Sequence, residues 1–109
     1  MRYDDLRMGR IQIDIPGDRI EEFCRRNYIR RLAFFGSVLR EDFSADSDVD
    51  VLVDFEPDHI PGLIRLGEMA DDLSAMLGGR KVDLLTREDL SDYFRDDVLK
   101  AAEVRYGPR

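Results

Sequence analysis

The sequence predicts a mixed α/β domain of the α+β type, in which helices cover mainly one face of a small mixed β-sheet. Two apolar runs of strand length, Ile29–Phe35 and Val49–Phe55, are rich in Ile, Val and Phe. Apolar residues at helical spacing then separate the second run from a third at residues 81–85. A chain of 109 residues has room for one hydrophobic core. Helices on one face would leave the other face of the sheet for a site.

The chain divides into an N-terminal arm, residues 1–16, one domain, residues 17–106, and a short tail, residues 107–109. The arm is weakly patterned and favours partial order, although three isoleucines that alternate with polar residues leave an edge strand open. In the domain, Asp18 is the predicted N-cap of a first helix, with Glu21 completing a capping box.

Turn formers and glycines separate the remaining elements. A helical turn is predicted at residues 38–42, and a long helix is predicted to begin near Pro61 and to end at Gly78-Gly79. Thr86 is expected to cap a short helix, and residues 92–104 are predicted to form the last helix.

Charge and composition exclude several function classes. The net charge is −7, and residues 32–109 carry nine basic against eighteen acidic residues. A nucleic-acid-binding surface is basic, so direct nucleic-acid binding is not expected, whereas a basic protein partner would suit the acidic body. No stretch reaches the length of a membrane span, and the start of the chain does not resemble a signal peptide. One cysteine excludes an internal disulfide and fits a reducing cytoplasm, and one cysteine with one histidine leaves carboxylates as the expected metal ligands.

Three aspartates are the candidate catalytic and metal-binding residues. Asp48 and Asp50 lie at the start of the second predicted strand, and Asp83 lies within the third. Because strand side chains alternate, Asp48 and Asp50 point to one face, and Asp83 joins them if its strand is adjacent. Carboxylates beside an apolar sheet are costly unless compensated, and hard divalent cations prefer oxygen ligands. The pattern therefore predicts a site for one or two cations and metal-assisted chemistry on a phosphate.

A glycine and a serine after the first strand are the candidate phosphate-binding residues. Gly36 allows a ligand to approach the backbone closely, and Ser37 would begin a helical turn with free N–H groups and a hydroxyl. Arg40, one turn later, is a candidate charged donor to the same phosphates, although a solvated arginine is the commoner outcome.

The spacing of these residues resembles the signature of the DNA polymerase β-type nucleotidyltransferase superfamily. The Gly36-Ser37 pair is followed, after ten residues, by the Asp48-Val49-Asp50 motif, and a later strand carries Asp83. The short chain is similar to the minimal nucleotidyltransferase (MNT) branch, many of whose members are encoded beside a HEPN-domain partner as toxin–antitoxin pairs. The resemblance covers about residues 18–105.

The resemblance implies a nucleotidyltransferase fold and a magnesium-dependent reaction. The Gly-Ser loop would bind nucleotide phosphates, Asp48 and Asp50 would bind two magnesium ions, and Asp83 would join them and help to activate the attacking hydroxyl. In the antitoxin branch, AMP moves from ATP to a tyrosine of the HEPN toxin, which is an RNase, and the toxin is silenced. The partner would supply the rest of the acceptor site.

Other interpretations remain open beside this one. The chain could be a non-catalytic antitoxin that acts by binding, but such a module has no use for three clustered carboxylates. It could also modify a small-molecule hydroxyl, but no acceptor-binding domain is evident in the sequence. At the level of single residues, Asp83 could pair on the surface with Arg80 or Lys81.

An apolar set in the last predicted helix has two interpretations. Phe94, Val98 and Leu99 could belong to the core or to a surface for a partner, and the sequence does not decide between them.

Overall fold

Four strands within the described residues form the sheet at the centre of the domain. The computed structural model describes residues 11, 13–41, 43–44 and 46–108. The strands are β1 (Ile29–Phe35), β2 (Val49–Phe55), β3 (Val82–Leu85) and β4 (Glu103–Tyr106), and they lie in the order β3-β2-β1-β4. β2 runs antiparallel to β1 and parallel to β3, while β4 runs antiparallel to β1. The sheet is therefore mixed, as the sequence predicts.

Three α-helices are described: α1 (Gly17–Arg26), α2 (Leu63–Met76) and α3 (Arg95–Ala101). α1 and α2 share one buried core with β1 and β2, so they pack against the same face of the sheet. The residues that these four elements contribute to this core are Ile20, Phe23, Cys24, Ile29, Leu32, Phe34, Val49, Val51, Val53, Met69 and Leu73. Burying one such aliphatic or aromatic side chain contributes about 1.5–3 kcal/mol. The prediction that helices lie mainly on one face is confirmed by α1 and α2, whereas α3 lies beside Phe35 and Gly36. None of the described helices has the length and apolarity needed to cross a membrane.

The connection between β2 and β3 places two site segments side by side. Parallel strands cannot be joined by a tight turn, and here α2 provides the crossover. Because α2 packs back onto the core through Met69 and Leu73, β3 lies directly beside β2.

The sequence predicts a single helix at residues 92–104, and this prediction is wrong. α3 ends at Ala101, Ala102 is extended (φ −62°, ψ 142°), and β4 follows. Residues 100–103 (Lys-Ala-Ala-Glu) include strong helix formers, so the local sequence gives no sign that the helix ends and a strand begins there. The cause is tertiary: residues 32–35 of β1 are all buried, so β1 is a central strand, and β4 provides its second neighbour.

Two local predictions at helix starts are also corrected. α1 begins at Gly17 with Pro16 as its N-cap and no side-chain capping bond, so the predicted Asp18 cap is wrong. Asp18 lies instead in the first turn, where a negative charge favours the helix dipole. The turn predicted at residues 38–42 is a 3₁₀ turn that begins earlier, at Gly36–Leu39. Thr86 does cap a short 3₁₀ turn, and its backbone N–H donates to Asp89.

The N-terminal arm lies largely outside the described residues. Its described isoleucines, Ile11, Ile13 and Ile15, are partly buried against the core and are not in a strand. The alternation therefore reflects packing of an irregular segment.

Candidate active site

Asp50 and Asp83 occupy paired positions on the neighbouring parallel strands β2 and β3. Adjacent strands are about 4.8 Å apart, and paired residues project from the same face. Val49 and Val51, on either side of Asp50, are fully buried in the core beneath the helices. Both carboxylates therefore project from the opposite face, and the structure brings these two predicted residues together.

Asp48 lies just before β2, at the rim of this pair. Its carboxylate oxygen Oδ2 is 3.7 Å from Nζ of Lys81, the residue that precedes β3. Its backbone carbonyl accepts a hydrogen bond of 3.1 Å from Ser37 Oγ. Asp48 thus connects the start of β3 with the Gly-Ser turn.

Gly36 stands directly against the Asp50 carboxylate. Its φ of +73° lies in the left-handed region that favours glycine. A Cβ at this position would overlap Oδ2 of Asp50 and would lie 3.3 Å from its Cγ. Phe35, which pairs with Asp50 across β1 and β2, brings the chain to this point. Conformation and space both require glycine here.

The turn after Gly36 carries the two remaining predicted residues. Gly36–Leu39 form a 3₁₀ turn, and the backbone N–H of Arg40 donates to the Ser37 carbonyl over 2.9 Å. The Ser37 hydroxyl donates to the protein, so binding a phosphate through this hydroxyl requires that bond to be exchanged. Arg40 is exposed, and its charge acts on the Asp50 carboxylate. The structure therefore places both residues at the site.

Burial and two like charges raise the pKa of Asp50 above its ordinary value. Desolvation is the largest cause, followed by the negative charges of Asp83 and Asp48, while Arg40 acts in the opposite direction. A bound cation would offset the unfavourable electrostatic energy of this buried carboxylate and its like-charged neighbours.

The donor set suits a cation whose coordination is completed by a substrate. Within the described part of the chain, no three acidic, histidine or cysteine side chains already form a closed ligand set, and Asp48 is turned toward Lys81. Magnesium is usually held by one or two carboxylates together with substrate phosphates, not by an all-protein cage. Asp50, with Asp48 and Asp83 beside it, fits that kind of open site.

Two grooves flank the carboxylates. One, of about 450 Å³, lies on the β1 side beside Gly36 and Arg40 and is walled by Phe94 and Val98 at α3. The other, of about 430 Å³, lies on the β3 side, where Asp83 forms part of its lining. Because β2 lies between β1 and β3, the two grooves lie on opposite sides of the strand that carries Asp50. Of the apolar set left open by the sequence, Phe94 and Val98 thus line a groove, and Leu99 is half-buried.

The sequence does not reveal that Lys81 contacts Asp48 at the site. Lys81 pairs with Asp48 instead of Asp83, and Arg80 lies over the Phe43 ring at 5.0 Å. The parallel register that pairs Val49 with Val82 also sets Lys81 opposite Asp48. The contact between Lys81 and Asp48 can therefore be predicted only when the order of the strands is known.

Removing Lys81 is expected to strengthen cation binding to the free chain. The Lys81 ammonium competes with a cation for Asp48, and a partly exposed ion pair contributes about 0.2–1 kcal/mol. In Lys81→Met, the Kd for Mn²⁺ measured by calorimetry at low ionic strength should therefore fall by roughly 1.5- to 5-fold. Lys100→Met, on α3, is the matched control and should leave the Kd unchanged. Equal or weaker Mn²⁺ binding in Lys81→Met would contradict this role.

The described geometry agrees with comparisons to known proteins. The family described as the nucleotidyltransferase domain matches residues 18–104. The chain belongs to this family. A relative of this nucleotidyltransferase, named protein adenylyltransferase MntA, from Thermococcus cleftensis, is 41% identical to this chain over 86 residues. That match covers 79% of this chain and 82% of the relative.

Solved structures share the fold of this nucleotidyltransferase. A crystal structure of a toxin–antitoxin with AMP-PNP superposes with a TM-score of 0.70 at 21% identity, over 87% of this chain and 76% of the other. A complex of a tri-AMPylated Shewanella oneidensis HEPN toxin with an MNT antitoxin gives a TM-score of 0.56 at 21% identity, over 84% and 70% of the two chains. The predicted nucleotidyltransferase fold is confirmed.

Proposed function

We propose that this nucleotidyltransferase is a magnesium-dependent antitoxin that transfers AMP from ATP to a tyrosine hydroxyl of a HEPN-domain toxin. The observation that carries the proposal is the pairing of Asp50 with Asp83, with Gly36 against the Asp50 carboxylate, in a member of this family. A relative named as a protein adenylyltransferase and a similar fold solved with an AMPylated HEPN toxin support it. We assign the activity to residues 17–106 and to the cytoplasm.

The groove on the β1 side is the proposed binding site for the nucleotide. Gly36 leaves the backbone of the turn open to close approach by the triphosphate. Ser37 and Arg40 follow in the same turn, and Arg40 adds a charged donor, which makes a strong hydrogen bond to a phosphate oxygen. These three residues would hold the triphosphate beside Asp50.

Asp83 is the proposed group that receives the acceptor. It would orient the tyrosine hydroxyl and take its proton as the hydroxyl oxygen attacks the α-phosphorus of ATP. A bond forms between that oxygen and phosphorus, the bond from phosphorus to the bridging oxygen breaks, and pyrophosphate leaves. Asp83 suits this role because it lies beside Asp50 on the strand that faces the second groove.

The carboxylates are the proposed magnesium ligands. Asp48 and Asp50 would hold the ions, with Asp83 joining them, and the raised pKa of Asp50 reflects its burial and the negative charges of Asp83 and Asp48. When bound, magnesium would lower the pKa of the acceptor hydroxyl and balance the charge of the leaving pyrophosphate. Asp48 would exchange its contact with Lys81 for the ion.

Intact mass spectrometry of the toxin tests the proposal. After incubation with this chain, ATP and magnesium, the toxin should gain the mass of one or more AMP units. The Asp48→Asn/Asp50→Asn double variant, which keeps the side-chain volumes, should give no gain.

Two results would favour other functions. An unmodified toxin that is nevertheless silenced in a stable complex would favour a non-catalytic antitoxin. AMP transfer to a small hydroxyl compound but not to the toxin would favour a small-molecule transferase.

A further inference from the structure

We propose that the groove beside Asp83 is the docking surface for the acceptor segment of the partner protein, an apolar segment flanked by basic side chains. This inference rests on the proposed function and extends it to the recognition of the partner. The surface, called here the acceptor groove, runs between α2 and β3. Its wall includes Leu63, Leu66, Val82 and Leu84 together with Asp83 and Asp89.

The order of the strands assigns the two grooves to two substrates. In-line transfer puts the attacking and leaving oxygens on opposite sides of the phosphorus. Gly36 and Arg40, which suit phosphates, lie on the β1 side of Asp50, whereas Asp83 lies on the β3 side. The acceptor hydroxyl must therefore approach from the β3 side. Because the Asp83 carboxylate projects from the face opposite α2, a segment in the acceptor groove reaches it across the free edge of β3.

Three large apolar side chains at the start of α2 are exposed, and one of them, Leu63, lines the groove. Leu63 is 86% exposed, Ile64 is 85% exposed and Ile60 is 72% exposed. They lie within five residues, in the first turn of α2 and the loop before it. Single exposed apolar residues are ordinary, but several within five residues, one of which lines an apolar groove, indicate an interaction surface. Leu63 belongs to both the exposed group and the groove.

The charge of the groove selects a partner of opposite sign. Its described lining includes Asp83 and Asp89 and no basic side chain. Asp71 is exposed on α2, one helical turn beyond Gly67, a groove residue. Complementary charge guides association and disfavours wrong partners. Basic side chains flanking the apolar segment would meet these carboxylates.

The backbone of the groove can also accept an extended segment. β3 is an edge strand that pairs with β2 on one side, and a free strand edge can pair with a partner segment. On the helix side, a Cβ added at Gly67 would meet nothing within 4 Å, so the wall leaves room for side chains of the partner.

A charge substitution in the exposed group tests the proposal. In the full chain, Leu63→Lys/Ile64→Lys removes two apolar side chains from the surface and adds positive charges that repel a basic partner. The HEPN toxin is the probe. We expect its Kd, measured by biolayer interferometry, to rise at least tenfold, as truncation of central apolar anchors does in other interfaces. Both residues are exposed, so the melting temperature and the Kd for Mg-ATP should stay near those of the unchanged chain.

Tyr93→Lys is the matched control, because Tyr93 is as exposed as Leu63 but lies outside the groove. The control should bind the toxin as the unchanged chain does. Unchanged toxin binding in the double variant would overturn the proposal, as would equal losses in the double variant and the control.

The same assay separates this inference from the proposed function. If the unchanged chain transfers AMP and the double variant still binds the toxin, the function holds and the docking surface is wrong. If the unchanged chain binds the toxin without transferring AMP, the proposed reaction fails, and the two Kd values still decide where the toxin docks.

Discussion

Asp50→Asn is expected to abolish AMP transfer while raising the melting temperature of the magnesium-free protein. The loss of activity follows because Asp50 lies between Asp83 and the Gly36 turn, where a neutral amide cannot replace a carboxylate as a cation ligand. The gain in stability follows because the substitution removes a half-buried charge beside Asp83 and Asp48.

The pH dependence of this gain has a definite sign. Folding raises the pKa of Asp50, so between the ordinary carboxyl pKa and the raised value the folded state binds more protons than the unfolded state. The free energy of unfolding therefore decreases as pH rises through that window, and the penalty is fully present above it. The melting temperature of Asp50→Asn should exceed that of the unchanged protein most at neutral pH, and the difference should shrink on acidification.

Differential scanning calorimetry in EDTA between pH 4 and pH 8 measures this difference. Asp72→Asn, at an exposed position of α2, is the control and should change the melting temperature little at any pH. Adding magnesium and ATP should reverse the order, because ligands stabilise the protein that binds them. A lower melting temperature for Asp50→Asn in EDTA at neutral pH would contradict the electrostatic account, and retained AMP transfer would contradict the role of Asp50.

Local pattern was sufficient to predict the strands at which the candidate site residues Asp48 and Asp50 lie. β1 and β2 were predicted at their observed bounds, because each is a short segment that contains several β-branched or aromatic residues and is followed by turn formers or a break in the apolar pattern. The strand period then set Asp50 on the face opposite Val49 and Val51.

Long-range pairing explains what the sequence could not predict. β4 forms because central β1 needs a second neighbour, although its sequence follows strong helix formers. The contact of Lys81 with Asp48 depends on the parallel register of β2 and β3, which α2 imposes from a distance. The two grooves likewise depend on where α2 and α3 pack against the sheet, so neither could be recognised from neighbouring residues.

Gly36→Ala is expected to destabilise the protein and to weaken ATP binding more than tenfold. The left-handed conformation costs a residue with a Cβ about 1–2 kcal/mol, and the added methyl would overlap Asp50 Oδ2. Relief of that overlap moves either the turn or the carboxylate, and both movements disturb the proposed triphosphate site. Urea denaturation and ATP calorimetry at a temperature where the variant remains folded measure the two effects separately.

Gly17→Ala is the control, because a Cβ on the first residue of α1 would meet nothing within 4 Å. It should bind ATP normally and unfold at an unchanged or slightly higher urea concentration. The overlap itself is tested in an Asp50→Ala background, where the destabilisation by Gly36→Ala should become smaller. The free-energy effects of substitutions at residues in contact do not simply add. An equal destabilisation in both backgrounds would show that only the backbone conformation requires Gly36, and unchanged ATP affinity in Gly36→Ala would remove the turn from the nucleotide site.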